Sequence, residues 1–153
     1  MTIIRIAKEF DIDLTLEHCT EGHKIVKQLV DFNAPAVVGP TMTGRVKVEL
    51  KNKTFATPGM LAEAGLNVAI MSDHPASPID SLLVYAALAV KSGMSKKEAL
   101  EAITINPAQI LGIDKTVGSL EIGKDADLVV FNGDPLDINS EVEMVFINGK
   151  QVK

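Results

Sequence analysis

All three histidines of this 153-residue chain, His18, His23 and His74, fall within two short polar stretches. Glu17-His18-Cys19-Thr20-Glu21-Gly22-His23 follows the β-prone run Leu14-Thr15-Leu16, and Ser72-Asp73-His74 follows Asn67-Val68-Ala69-Ile70-Met71. A histidine and an aspartate facing one another across the ends of two strands suit a borderline divalent ion such as zinc. The same pair suits proton transfer, with Asp73 as base and a histidine orienting the substrate. Blander roles compete with both: His18 as a hydrogen-bonded histidine at the rim, Asp73 as a turn or helix cap. His23 lies in the first turn of a helix, where the positive end of the macrodipole disfavours a charged imidazole. It reads as a neutral hydrogen-bonding residue rather than a ligand. Cys19 reads as a small hydrophobe, because no basic residue is placed to depress its pKa.

These stretches matter only if strands bring them to one edge. Ile3, Ile4, Ile6, Ala7 and Phe10 recur at helical spacing. Leu14–Leu16, Ala36–Val38 and Asn67–Ile70 read as short strands, and helices fill the intervals. Thr20 is placed to cap the helix that carries Ile25, Val26, Leu29, Val30 and Phe32, and Asn33-Ala34-Pro35 breaks it. Thr57-Pro58 predicts an N-cap and first position of a helix through Ala64. Further helices are expected over Ser81–Val90 and Ala99–Ile105, the second behind the capping box Ser95-Lys96-Lys97-Glu98, with a last turn from Asn106-Pro107 to Gly112. Such alternation predicts an α/β fold with a parallel sheet, whose C-terminal strand edge is where sites are built.

The stretch from Thr41 to Lys53 reads as a long loop after a strand, a common location for functional residues. Within it, Lys47, Glu49, Lys51 and Lys53 are expected to form a solvated face. Arg45 is the residue best suited to contact an anion such as a substrate carboxylate, against the plainer role of a solvated arginine. After Ile113 the pattern turns to β: strand pieces at 117–123 and 126–131, then a hairpin over 143–152 turning at Asn148-Gly149.

Composition narrows the class. Apolar residues make up 46% and charged residues 23%, ordinary values for a globular protein. No apolar run reaches the ~18 residues of a membrane span. A net charge of −5 with no basic cluster beyond Lys96-Lys97 argues against nucleic-acid binding. A single cysteine and no signal-peptide pattern lead to the expectation of a cytoplasmic protein.

Together these segments resemble the C-terminal portion of the amidohydrolase superfamily of metal-dependent hydrolases, in the branch close to imidazolonepropionase. Thr15-Leu16-Glu17-His18-Cys19 is similar to the end of barrel strand six with its histidine, and Asn67–Pro75 to strand eight with its aspartate. Ala102–Ala108 followed by Leu111-Gly112 is similar to the helix closing the barrel. Gly118-Ser119-Leu120-Glu121-Ile122-Gly123-Lys124-Asp125-Ala126-Asp127-Leu128-Val129 resembles the small β-sandwich that follows. The resemblance implies a partial TIM (β/α)8 barrel of three βα units over residues 1–113 and part of a β-sandwich over 114–153. It also implies hydrolysis of C–N bonds in amides, cyclic amides or amidines by metal-activated water. His18 would then be a metal ligand or a histidine polarising the substrate. Asp73 would bind metal or carry the proton from water to the leaving nitrogen, and His74 would orient the site.

The departures from that pattern are equally specific. The family's His-x-His pair and the ligands of strands four and five are absent, leaving two ligands, His18 and Asp73, where a catalytic zinc has three. The expectation is therefore a fragment, inactive and without zinc by itself, from a parent that hydrolyses small amides. Its partner would be a missing N-terminal half or a second copy. The competing expectation is a non-catalytic binding or assembly module, or one subunit of a split enzyme.

Overall fold

The parallel core is small. In the computed structural model, which describes residues 2–153, strand β1 (Ala36–Val38) pairs with β2 (Val68–Ile70) in parallel. The register sets Ala36 against Val68, Val37 against Ala69 and Val38 against Ile70. Leu14–Leu16, expected as a full strand, runs along the other side of β1 with one bridge, Leu16 to Ala36. Leu16 N–H donates to the Pro35 carbonyl, Val37 N–H to Leu16 and Cys19 N–H to Val37. The segment stays short because the chain leaves the sheet at His18, whose φ is +53°, and among the described residues no further strand pairs with its outer side. The outer edge of β2 is covered: Ile70 N–H donates to the Ala102 carbonyl, and the Asn106 amide donates to the carbonyl of Val68.

Parallel strands require crossovers, and helices supply them. Helix α1 (Thr2–Phe10) precedes the first segment. Only Ile4 and Ala7 of its apolar stripe are buried, while Phe10 is 65% exposed. Helix α2 (Val26–Phe32) follows a 3-10 turn, Gly22–Ile25. Thr20 does not cap it. Glu21 precedes the 3-10 turn and Ile25 the helix, neither with a side-chain capping bond, and Thr20 is buried with its carbonyl accepting from Thr57 Oγ1. Helix α2 ends at Asn33, whose left-handed backbone lets its N–H reach the Leu29 and Val30 carbonyls. Helix α3 (Thr57–Glu63) starts one residue earlier than expected, with Ala56 at the cap and Pro58 in the first turn. Leu29, Leu61, Val38 and Val68 are fully buried where these helices meet the sheet. Each such side chain contributes about 1.5–3 kcal/mol.

A second core lies on the other side of β2. Helix α4 (Leu82–Lys91), behind a 3-10 turn at Ile79–Ser81, packs Tyr85, Ala86 and Ala89 against Ile70, Met94, Ala99 and Ala102. Alanines at the contact let helix α5 (Lys96–Glu101) approach closely. Ser95 and Glu98 form the expected capping box on α5, and helix α6 (Ile105–Ile110) completes the layer.

Residues 117–123 do not form a strand. Gly118 and Gly123 take positive φ values of +94° and +98°, which turn the chain where alternation suggested extension. The β structure is an antiparallel meander of β3 (Leu128–Phe131), β4 (Val142–Ile147) and β5 (Lys150–Gln151). Asn148 and Gly149, at φ +50° and +73°, make the type I′ hairpin turn. No residue from 114 to 153 is buried, so this sheet lacks a second layer. Among the described residues no helix is long and apolar enough to cross a membrane.

Candidate functional site at the strand ends

His18 and Asp73 end the two segments that flank β1, and their side chains meet. His18 Nε2 lies 3.9 Å from Asp73 Oδ1, with 57% and 37% of the respective side chains exposed. Both residues have left-handed backbones, φ +53° and +59°. Each turns sharply off its segment, so both side chains stay at the same edge. Gly39, at the end of β1, permits the close approach behind them: a Cβ there would sit 2.0 Å from the Met71 carbonyl oxygen. His74 is exposed and makes no hydrogen bond among the described residues.

One imidazole nitrogen and one carboxylate are a donor set that zinc accepts. Bonds of ~2.0–2.2 Å place two ligands of one tetrahedral ion roughly 3.3–3.6 Å apart, so the 3.9 Å separation fits two positions of such a sphere. Nothing among the described residues completes it, since no group of three or more His, Cys, Asp or Glu converges.

His23 sits beside this pair in sequence but is engaged elsewhere. Its Nδ1 is 2.8 Å from Thr57 Oγ1, and Thr57 Oγ1 donates to the Thr20 carbonyl at 3.1 Å. Because the Thr57 proton is committed to Thr20, His23 Nδ1 must carry the proton it donates. The hydrogen-bonding role expected for His23 is the observed one. Thr57, expected as a helix cap, instead ties helix α3 to the loop after Leu16.

A second tie joins the same loops. The Glu21 carboxylate accepts from the Lys24 ammonium and from the backbone and side-chain N–H groups of Asn52. The Lys24 ammonium foremost, then the Asn52 backbone N–H, hold Glu21 below the usual carboxylate range. Burial pushes the Cys19 thiol up, which keeps it protonated and inert as a nucleophile.

Lys53 overturns an expectation. It is 3% exposed rather than part of a solvated face. Its ammonium donates to the Pro40 carbonyl, the Thr43 carbonyl and Thr43 Oγ1. Arg45 Nη2 in turn donates to the Lys53 carbonyl at 2.9 Å. Desolvation first, then the Arg45 charge, push Lys53 below the usual lysine range. Composition gave no sign of this, because the bonds close across eight to thirteen residues.

The match to known proteins covers the whole arrangement. The profile of the Amidohydrolase family matches residues 3–152, and the chain belongs to that family. An amidohydrolase from Thermotoga maritima MSB8 superposes with a TM-score of 0.94 and 47% identity, covering 99% of this chain and 40% of that one. A 5-methylthioadenosine/S-adenosylhomocysteine deaminase of Thermoanaerobacter pseudethanolicus is 30% identical over 92% of this chain and 38% of its own length. An imidazolonepropionase of Geobacillus kaustophilus is 48% identical over 47% of this chain and 18% of its own. The chain thus spans well under half the length of these relatives.

Proposed function

We propose that this chain is the C-terminal portion of a metal-dependent amidohydrolase and that His18 and Asp73 are its contribution to the hydrolytic centre. The observation that carries this is the 3.9 Å approach of His18 Nε2 to Asp73 Oδ1 at the strand edge, within a chain of this family. In this reading residues 1–113 are the last three βα units of a partial (β/α)8 barrel and 114–153 are strands of a composite β-sandwich. Two features support it. Among the described residues no strand pairs with the outer side of Leu14–Leu16, while that of β2 is covered, and the β3–β5 meander has no buried residue. Both surfaces await chain from elsewhere, a missing N-terminal half by this reading. The exposed meander equally favours the second reading, an assembly module whose partner completes the sheet.

The chemistry follows from the pair. The substrate is a small amide, cyclic amide or amidine. A divalent ion, zinc by the donor set, would be held by His18 and Asp73 with donors from the rest of the parent, and when bound it supplies Lewis-acid polarisation of the scissile carbonyl. Asp73 would bind the ion or take a proton from attacking water and pass it to the leaving nitrogen. His18 orients the carbonyl or the ion, and His74, next in sequence, shapes the loop around Asp73. A cytoplasmic location belongs to the same proposal.

The test is complementation. The chain is co-expressed with the preceding portion of the Thermotoga maritima relative and assayed for amine release from a panel of amides and cyclic amides. Activity of the assembly, lost with Asp73→Ala and absent from the chain alone, is expected. A folded assembly that hydrolyses nothing in the panel overturns the hydrolytic reading. Asp73-dependent turnover by the chain alone overturns the fragment reading.

A further inference from the structure

Buried lysines ordinarily sit against a carboxylate, because an uncompensated charge out of water is costly. Lys53 does not. It is 3% exposed, its three hydrogen-bond acceptors are neutral oxygens, and the charge acting on it is that of a second cation, Arg45. The loop that holds both, residues 41–53, contains Arg45, Lys47, Lys51 and Lys53 against Glu49 alone, a local charge of +3 in a chain of net −5. No carboxylate among the described residues forms an ion pair with Arg45 or Lys53, and Glu21, which reaches the neighbouring Asn52, is taken by Lys24 and Asn52.

The position of this cation pair is as telling as its charge. Lys53 reaches the carbonyl of Pro40, the residue immediately after the close contact between Gly39 and Met71. The base of the loop therefore stands at the end of β1, between the segment ending at His18 and the strand leading to Asp73. The three N–H donors of Lys53 are all engaged, so it contributes charge rather than contact. Arg45 is different. Its guanidinium has five N–H donors, and among the described residues its hydrogen bond is the one from Nη2 to the Lys53 carbonyl. That bond fixes the guanidinium while leaving donors in the fork geometry that matches a carboxylate.

We infer that Arg45, backed by the buried charge of Lys53, is a recognition site for an anionic group, a carboxylate, in the loop that follows β1. That the carboxylate belongs to a substrate rests on the hydrolytic reading above, and makes the substrate an amide that carries a carboxylate near its scissile bond. The cation pair itself does not depend on that reading.

The experiment uses the chain itself and two probes of equal size, N-acetylglycine and its neutral counterpart N-acetylglycinamide, followed by amide NMR titration. N-acetylglycine is expected to shift the resonances of residues 41–54 saturably and to bind about tenfold more tightly than the neutral probe, the effect of one charge-assisted bond. Arg45→Ala should remove that preference, and Arg45→Lys should restore part of it. Lys53→Met should weaken binding as well, and because it can loosen the loop, the Arg45 variants decide the matter. Equal binding of the two probes, a preference unchanged in Arg45→Ala, or shifts confined to Lys47 and Lys51 would overturn the inference. Carboxylate binding without hydrolysis in the complemented assembly would sink the hydrolytic reading and leave this site standing. Hydrolysis without carboxylate binding would do the reverse.

Discussion

His18 and Asp73, 55 residues apart in the chain, approach to 3.9 Å, and both do so from left-handed backbone conformations. Aspartate tolerates that region through its short polar side chain, whereas histidine bears more strain there. The two residues that meet at the edge are thus both held in a left-handed conformation uncommon for residues with a Cβ, a pattern found where a site over-determines its backbone.

This has a measurable consequence for stability. His18→Gly removes the Cβ that makes the left-handed conformation costly, while its unfolded chain gains freedom. The expected net result is stabilisation by roughly 1 kcal/mol or less, read as a higher urea midpoint with an unchanged slope. His18→Ala, which keeps the Cβ and loses only the ring, should not show the gain. A His18→Gly variant less stable than His18→Ala would mean that the freedom glycine gains in the unfolded chain outweighs the strain it relieves.

Metal content is the second prediction. With two donors converging and no group of three among the described residues, water would fill most of a coordination sphere. The dialysed chain is expected to retain less than one equivalent of zinc by elemental analysis, with weak binding by calorimetry that His18→Ala weakens further. One tightly held equivalent would show that the chain builds a complete site.

How much of this was legible in the sequence depends on how far apart the partners are. The Ser95–Glu98 capping box and the Asn148-Gly149 turn close within a few residues, and both are found where the pattern placed them. The strand order and the edge shared by His18 and Asp73 follow from βα alternation, which reports topology without distances. Thr57 and Lys53 were misread for a common reason. Thr57 answers to Thr20 and His23, and Lys53 to Pro40 and Thr43, partners that no local window contains. Residues 117–123 failed differently: apolar alternation signalled a strand, but Gly118 and Gly123 spend their freedom on turns.

The Glu21 tie makes the loops sensitive to acid. Its carboxylate is held below the usual value of 4.5 by the Lys24 ammonium and by Asn52. A depressed carboxylate favours the folded state above its unfolded pKa, and that contribution is lost as pH falls through the lower folded value. Below about pH 4.5 the tie between the Glu21 and Asn52 loops should weaken, seen as faster amide exchange at Asn52. Glu21→Gln should exchange faster at neutral pH and respond less to acid. An Asn52 amide whose exchange, corrected for intrinsic pH effects, is the same in both proteins would remove the tie.

The last prediction concerns the loop that carries Asp73. Ser77 Oγ lies 2.6 Å from Tyr85 Oη, both residues buried at 7% and 1% exposure, so one hydrogen bond fastens this loop to helix α4. Tyr85→Phe keeps the packing but leaves the Ser77 hydroxyl without its buried partner, at a cost of about 1–2 kcal/mol. Ser77→Ala strands the Tyr85 hydroxyl and should cost a similar amount. The double variant removes both polar groups together and is expected to be more stable than the sum of the single losses predicts, with a coupling of about 1 kcal/mol in urea unfolding. Strict additivity would mean that each hydroxyl finds water when the other is removed. The hydrogen bond would then not be what fastens the loop to helix α4.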